Sequence, residues 1–147
     1  MATIRGGDKL EAALKEISEK VSKAATLRVG FLEGATYPDG TPVGAVAAFN
    51  EFGTAKSPPR PFFRDMIAAK SSEWPEAIGN LLVQNDYDGE KALSLTGDGI
   101  KGQLQQSITD FVGAPLAQST IDAKGSEKQL VDTGHMLASV DYEVETK

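Results

Sequence analysis

The sequence predicts an α+β fold, on three observations. Leu10, Leu14, Ile17 and Val21 recur at helical spacing near the start of the chain. Leu27, Val29 and Phe31 alternate with Arg28 and Gly30 soon afterwards, and Val140, Tyr142 and Val144 alternate again near the other end. Helical patterns occupy the middle, and a strand stands toward each end.

The length, 147 residues, is that expected of one domain spanning 1–147, long enough to bury a sizeable core. Apolar residues make up 40% and charged residues 24%, an ordinary balance for a soluble folded chain. No apolar run approaches the roughly 18 residues of a membrane span, and the first residues lack the hydrophobic segment of a signal peptide. Synthesis in a cytoplasm, with no membrane partner, is the expectation. The absence of cysteine excludes disulfides, thiolate nucleophiles and sulfur-ligated metal sites, which leaves His135 as the one good nitrogen ligand or general base. A formal charge of -6 argues against a nucleic-acid reader, since phosphate binding needs clustered Lys and Arg. An acidic chain can still let nucleic acid pass without holding it.

Taken in order, Asp8-Lys9-Leu10-Glu11 reads as a variant capping box opening a helix over Asp8 to Lys23. Thr26 to Leu32 is the first strand. Tyr37-Pro38-Asp39-Gly40 is a turn, and Thr41-Pro42 restarts a helix with Thr as the N-cap and Pro at the first helical position. Val43, Val46, Ala47 and Asn50 share one face of it, Phe49 and Phe52 flank that face, and Gly53 ends it. Three prolines over Pro58 to Pro61 then enforce an extended strap, from which a helix runs through Phe63, Ile67 and Lys70. Pro75 either kinks that helix or opens another carrying Trp74, Ile78, Leu81 and Leu82. Gly89-Glu90-Lys91 opens a further helix whose stripe is Leu93, Ile100, Leu104, Ile108 and Phe111; Gly97, Gly99 and Gly102 weaken its early turns or mark a close helix contact. Val112 to Pro115 is a break, Leu116 to Lys124 a short helix, Gly125 to Gln129 a polar loop and Ser139 to Glu145 the last strand.

Several short patterns suggest chemistry. Leu130-Val131-Asp132-Thr133-Gly134 is how an aspartic protease presents its carboxylate, but that chemistry needs two facing loops, each held by strands, and the sequence after Gly134 is short of them. Asp132 or Thr133 is better read as the cap of a short helix beginning near Gly134. His135 has no carboxylate cluster at metal-ligand spacing beside it. Pro58 and Pro61 with Lys56 and Arg60 form a PxxP pattern, the basis of an alternative adaptor reading. Phe62 and Phe63 are too apolar for a free linear motif and draw the strap onto the domain or a neighbouring subunit. Gly97 to Gly102 lacks the GK[ST] ending of a phosphate loop and follows no strand, so it reads as a flexible turn. No catalytic residue, metal or cofactor is assigned.

Three stretches in order resemble the tail-completion, or neck, proteins of tailed bacteriophages, also called virion-morphogenesis proteins. They are Val46 to Thr54 followed by Pro58-Pro59-Arg60-Pro61-Phe62-Phe63-Arg64; Gly102 to Ile108 leading to Ala114-Pro115-Leu116-Ala117; and Ser119 to Gly125 followed by Gln129 to Val140. The chain departs from the family at Ala114, Gln118 and Gln129, where proline is frequent. The resemblance implies a small, mostly antiparallel sheet flanked by helices, and a non-enzymatic virion protein in the neck. It implies a homo-oligomeric ring, six copies, between the head connector and the tail tube or tail terminator, with genomic DNA passing unread through the lumen. The strap residues Pro58, Pro59, Arg60, Pro61, Phe62 and Phe63 are the candidate intersubunit interface, because a pre-ordered backbone loses little entropy on docking. The acidic charge suggests a lumen that repels phosphate. The loops Glu33 to Thr41 and Gly125 to Gln129 are candidates for touching connector or tube.

Overall fold

The two strands from opposite ends of the sequence meet as an antiparallel pair. In the computed structural model, which describes residues 5–110 and 134–146, the order is α1 (Gly7–Val21), β1 (Ala24–Phe31), α2 (Val43–Phe52), α3 (Phe62–Lys70), α4 (Trp74–Gln84), α5 (Gly89–Asp110), α6 (Gly134–Ala138) and β2 (Val140–Thr146). Leu27 lies opposite Val144, Val29 opposite Tyr142 and Phe31 opposite Val140, so the alternating apolar residues of both strands fall on one face. That face packs on α5, and the fold is a single α+β domain as expected. Ile100, Leu104 and Ile108 of α5 join Val43 and Ala47 of α2, Phe62 and Met66 of α3, Met136 of α6 and Val140 of β2 in one core.

The middle of α5 explains how closely helix and sheet approach. A Cβ added at Gly97 would stand 2.5 Å from the Tyr142 ring and 2.9 Å from Leu27 Cδ1, distances at which something must move. The expected close contact is real, but its partner is the sheet rather than another helix. Gly97 to Gly102 is therefore neither a phosphate loop nor a flexible turn; it lies inside a 22-residue helix. Burial of Thr96, Ile100 and Leu104 on one side outweighs the weak helix propensity of the glycines. Gly99 and Gly102 have open space at the Cβ position.

Helix starts differ from the sequence expectation in two places. The carbonyl of Gly6 accepts the Leu10 N–H at 3.0 Å and no side chain caps α1, so the Asp8–Glu11 capping box does not form. Asp8 falls inside the first turn, where its charge still favours the helix dipole. Thr41 likewise does not cap α2. Its carbonyl accepts the Tyr37 N–H at 2.8 Å, the Val43 N–H donates to the Ala35 carbonyl at 3.0 Å, and Pro42, in extended conformation, takes the cap position. The bridge between Thr36 and Pro42 thus moves the helix start by one residue. The turn itself forms as expected, closed by Gly40 N–H donating to the Tyr37 carbonyl at 2.9 Å. Asp39 accepts from the Thr41 N–H at 2.9 Å, which holds its carboxyl below the usual aspartate range.

Pro75 lies in the first turn of α4, so it opens a new helix after the 3₁₀ turn Ser71–Glu73. Trp74 Nε1 donates to Gln103 Oε1 at 2.9 Å and ties α4 to α5. The link into α5 carries two consecutive non-glycine residues at positive φ, Asp86 at 54° and Tyr87 at 59°. Lys20 holds Asp86 at 2.7 Å. The apolar stripe of α1 does not enter the core: no residue of that helix is buried, and Leu10 and Leu14 are 60% and 56% exposed. Phe111 and the break, short helix and polar loop expected over 112–129 lie outside the described residues.

Two glycines in one helix give predictions of opposite sign. Gly97→Ala is expected to destabilise the protein by about 1–3 kcal/mol through overpacking, while Gly99→Ala stabilises it by about 0.5–1 kcal/mol; urea unfolding of both variants checks the contrast. Because the folded Asp39 carboxyl titrates below its unfolded value, its contribution is complete above the ordinary aspartate range and fades as pH falls through the lowered value. The melting-temperature gap between the wild type and Asp39→Ala should therefore narrow between neutral pH and about pH 3, and thermal melts at both ends of that window measure it.

Candidate assembly site around the proline strap

The strap is defined by what surrounds it. α2 runs to Phe52 and α3 begins at Phe62, leaving Gly53 to Pro61 to turn the chain back. Gly53 has φ 77°, and a Cβ there would sit 2.8 Å from Pro59 N and 2.9 Å from the Ser57 carbonyl oxygen. Glycine is thus required by conformation and by space together. Thr54 N–H donates to the Ser57 carbonyl at 2.9 Å and Ser57 N–H returns to Thr54 at 3.3 Å, a tight turn with Ala55 and Lys56 at its tip. Pro58 and Pro59 follow and are exposed.

α3 starts without a cap of its own. Pro61 occupies the cap position and has no side-chain acceptor, so the amides of the first turn need another partner. Glu51 supplies it from the end of α2. Its Oε2 accepts the Phe63 N–H at 2.9 Å, and its Oε1 accepts the Arg64 N–H at 3.0 Å and Arg64 Nε at 2.8 Å. Arg64 Nη2 also donates to the Glu51 carbonyl at 2.9 Å. The Glu51 side chain is 7% exposed and carries its charge against two amides and one guanidinium. Such charge-assisted bonds are worth roughly 1.5–3 kcal/mol each when intact, and a buried carboxylate without them would be strongly destabilising.

The remaining ties are local. Arg60 N–H donates to the Asn50 carbonyl at 2.6 Å and its Nη1 reaches Asn50 Oδ1 at 3.5 Å. Phe62 N–H donates to the Arg60 carbonyl at 2.8 Å around Pro61, whose φ of -79° and ψ of 56° describe an inverse γ-turn. Arg60 Nε is buried and has no acceptor among the described residues. Ser107 Oγ of α5 donates to the Phe62 carbonyl at 2.7 Å, and the Phe62 ring is fully buried, edge-on to Phe31 at 6.4 Å.

These contacts divide the candidate interface. Phe62 belongs to the core of its own chain and has no side-chain surface to offer a neighbour. Pro58 and Pro59 are exposed, and Arg60, Pro61 and Phe63 are half-buried. On α2, Phe49 and Phe52 are 60% and 64% exposed, with the Arg64 guanidinium 4.9 Å from the Phe52 ring centre. An apolar depression of about 310 Å³ lies between Phe31, Ala47, Phe52, Phe62 and Phe63. Phe52, Phe63 and Arg64 line this depression together, while the exposed prolines stand on the turn that joins α2 to α3.

Sequence reasoning named Glu51 only as part of a motif and missed its role. The signal was present: Val43, Ala47 and Glu51 recur at i, i+4 and i+8, so the buried stripe of α2 ends in a carboxylate. A helix that follows a proline without a capping side chain is the complementary sign.

Of the other candidates, Asp132 and Thr133 lie outside the described residues, and Gly134 is the first residue of α6. His135 Nε2 is 2.6 Å from the Thr36 carbonyl oxygen and its ring is tilted against Tyr37 at 5.1 Å. A carbonyl only accepts, so Nε2 carries a proton, and the residue fastens α6 to the turn before α2. Among the described residues, no cluster of three or more His, Asp or Glu has metal-binding geometry, and no helix is long and apolar enough to cross a membrane. Comparison with protein-family models, curated proteins and solved structures finds no match to this chain.

Replacing Glu51 tests the clamp. Glu51→Gln retains one acceptor but turns amide donors toward the donors of Phe63 and Arg64; a loss of about 1–3 kcal/mol is expected, measured by urea unfolding. Arg64→Ala leaves the two amide bonds in place, so its loss should be smaller than that of Glu51→Ala.

Proposed function

We propose that this chain is a structural virion protein of a tailed bacteriophage. Copies of it form a homo-oligomeric ring in the neck, complete the tail and join the tail tube to the head connector, while DNA passes through the lumen without sequence-specific contact. The observation that carries this reading is the ordered series Asn50-Glu51-Phe52-Gly53, Pro58-Pro59-Arg60-Pro61-Phe62-Phe63-Arg64 and Leu130-Val131-Asp132-Thr133-Gly134. The first two are separated in sequence but act as one unit, since Glu51 of the first caps the helix that the second opens.

The geometry supports an assembly role in a second way. Pro58, Pro59, Phe49 and Phe52 present apolar groups to solvent on a backbone fixed at both ends, so docking orders little that is not already ordered. A ring needs such a surface on one side of each subunit and a different one on the other. The net charge of -6 suits a conduit for DNA more than a holder of it.

The test is mass measurement of the purified chain alone and with tail tubes and connectors of its phage, joined to complementation of particle assembly. A ring that binds tube or connector is the expected result, and a chain that binds neither overturns the reading. Pro59→Ser with Phe52→Ser should reduce tail joining at least roughly tenfold while leaving the monomer folded, because neither residue is in the core; about 1.4 kcal/mol of lost contact suffices for that factor. Unchanged particle yield in that variant would remove the strap from the interface. Phe62→Ala is unsuitable for the purpose, since it is expected to unfold the core by about 3–5 kcal/mol.

A further inference from the structure

Among the described residues the sheet has two strands, and each has a strand neighbour on one side and none on the other. β1 is eight residues long and β2 seven, neither contains proline, and both are therefore long enough to accept another strand. Natural sheets seldom leave two such edges bare.

The exposed side chains distinguish the edges by charge. On the face away from the core β1 carries Thr26 and Arg28, with Gly30 buried beside the Phe63 ring, whereas β2 carries Asp141, Glu143 and Glu145. Arg28 already reaches Glu143 at 3.4 Å and Glu145 at 3.1 Å, so one guanidinium serves two carboxylates. Asp141 is held by Lys101 at 3.4 Å. It also accepts its neighbour Tyr142's N–H at 2.8 Å, which occupies that amide.

We propose that these edges are the two halves of a self-association surface, with β1 of one copy pairing beside β2 of the next. Strands in one copy already alternate in direction, so the added pair continues the antiparallel order. Each incoming Arg28 meets the carboxylate row of β2, which is short of cations. Pairing β2 with β2 would set two rows of carboxylates side by side, and pairing β1 with β1 would oppose two arginines; like charges directly across strands are destabilising. The charge pattern thus rejects both two-fold dimers and selects the head-to-tail contact, the kind that builds rings or filaments. The edge pairing stands on the sheet alone, while closure into a ring rests on the neck reading.

The experiment uses full-length chains and sedimentation or native mass measurement, with circular dichroism as the check on folding. The wild type should self-associate. Arg28→Glu alone, and Glu143→Arg with Glu145→Arg alone, should each associate roughly tenfold more weakly or worse. An equimolar mixture of the two should recover assembly, because each then offers the other an oppositely charged edge. The triple exchange in one chain restores the pairs within and between copies, and it should assemble again even if the partial variants fold poorly. A monomeric wild type, charge variants that assemble like the wild type, or a mixture and a triple exchange that both stay apart would each overturn the proposal. Rings that persist in the charge variants remove the edge pairing and keep the neck reading, whereas wild-type open filaments lost in the variants do the reverse.

Discussion

One carboxylate, that of Glu51, sets the relation between the halves of the structure. It leaves the buried side of α2 and satisfies the first amides of α3, which Pro61 cannot serve. The direction in which α3 departs, and with it the entry of Phe62 and Met66 into the core, follows from that clamp. A charge this buried is tolerable only because amides and the Arg64 guanidinium surround it. The geometry of the strap is therefore fixed by polar chemistry underneath it, although its outward face is apolar.

The second constraint is distance. Helix α5 lies against the sheet closely enough that position 97 has no room for a side chain, and that approach lets Tyr142 and Leu27 pack on the helix backbone itself. Bringing β1 and β2 together couples residues separated by more than a hundred positions, as in the Arg28–Glu143 pair. Such long loop closures are unfavourable in entropy until the core forms. The short tie between His135 and the Thr36 carbonyl then holds α6, just before β2, to the segment before α2.

Much of the fold was legible because periodicity reports which face is buried. The alternation in both strands, Ile100, Leu104 and Ile108 of the α5 stripe, and the turn at Gly40 all appear where the pattern placed them, whereas Ala92 is buried at the start of that helix and Leu93 only half-buried. Local rules failed where a tertiary partner replaced the local one. Thr41 lost its capping role because its carbonyl was drawn into the bridge to the preceding loop, and the glycines of α5 stayed helical because buried neighbours on either side outweighed their propensity. The helical pattern of α1 was right, yet amphipathicity names a face without naming what covers it, and this helix keeps its stripe outside the core. The strap was recognised as a candidate site from its prolines and aromatics. That Phe62 turns inward while Phe49 and Phe52 stay out depends on the clamp, which no spacing rule encodes.

The strap has a mechanical consequence. Its two ends are bridged by Glu51 and Asn50 before the covalent chain has run its full course, and the Phe62 carbonyl is pinned to Ser107 in the last turn of α5. A force applied at Pro59 finds no slack to take up. It passes at once into the end of α2, the start of α3 and the last turn of α5, so strain at the rim is shared by three helices instead of peeling back one loop.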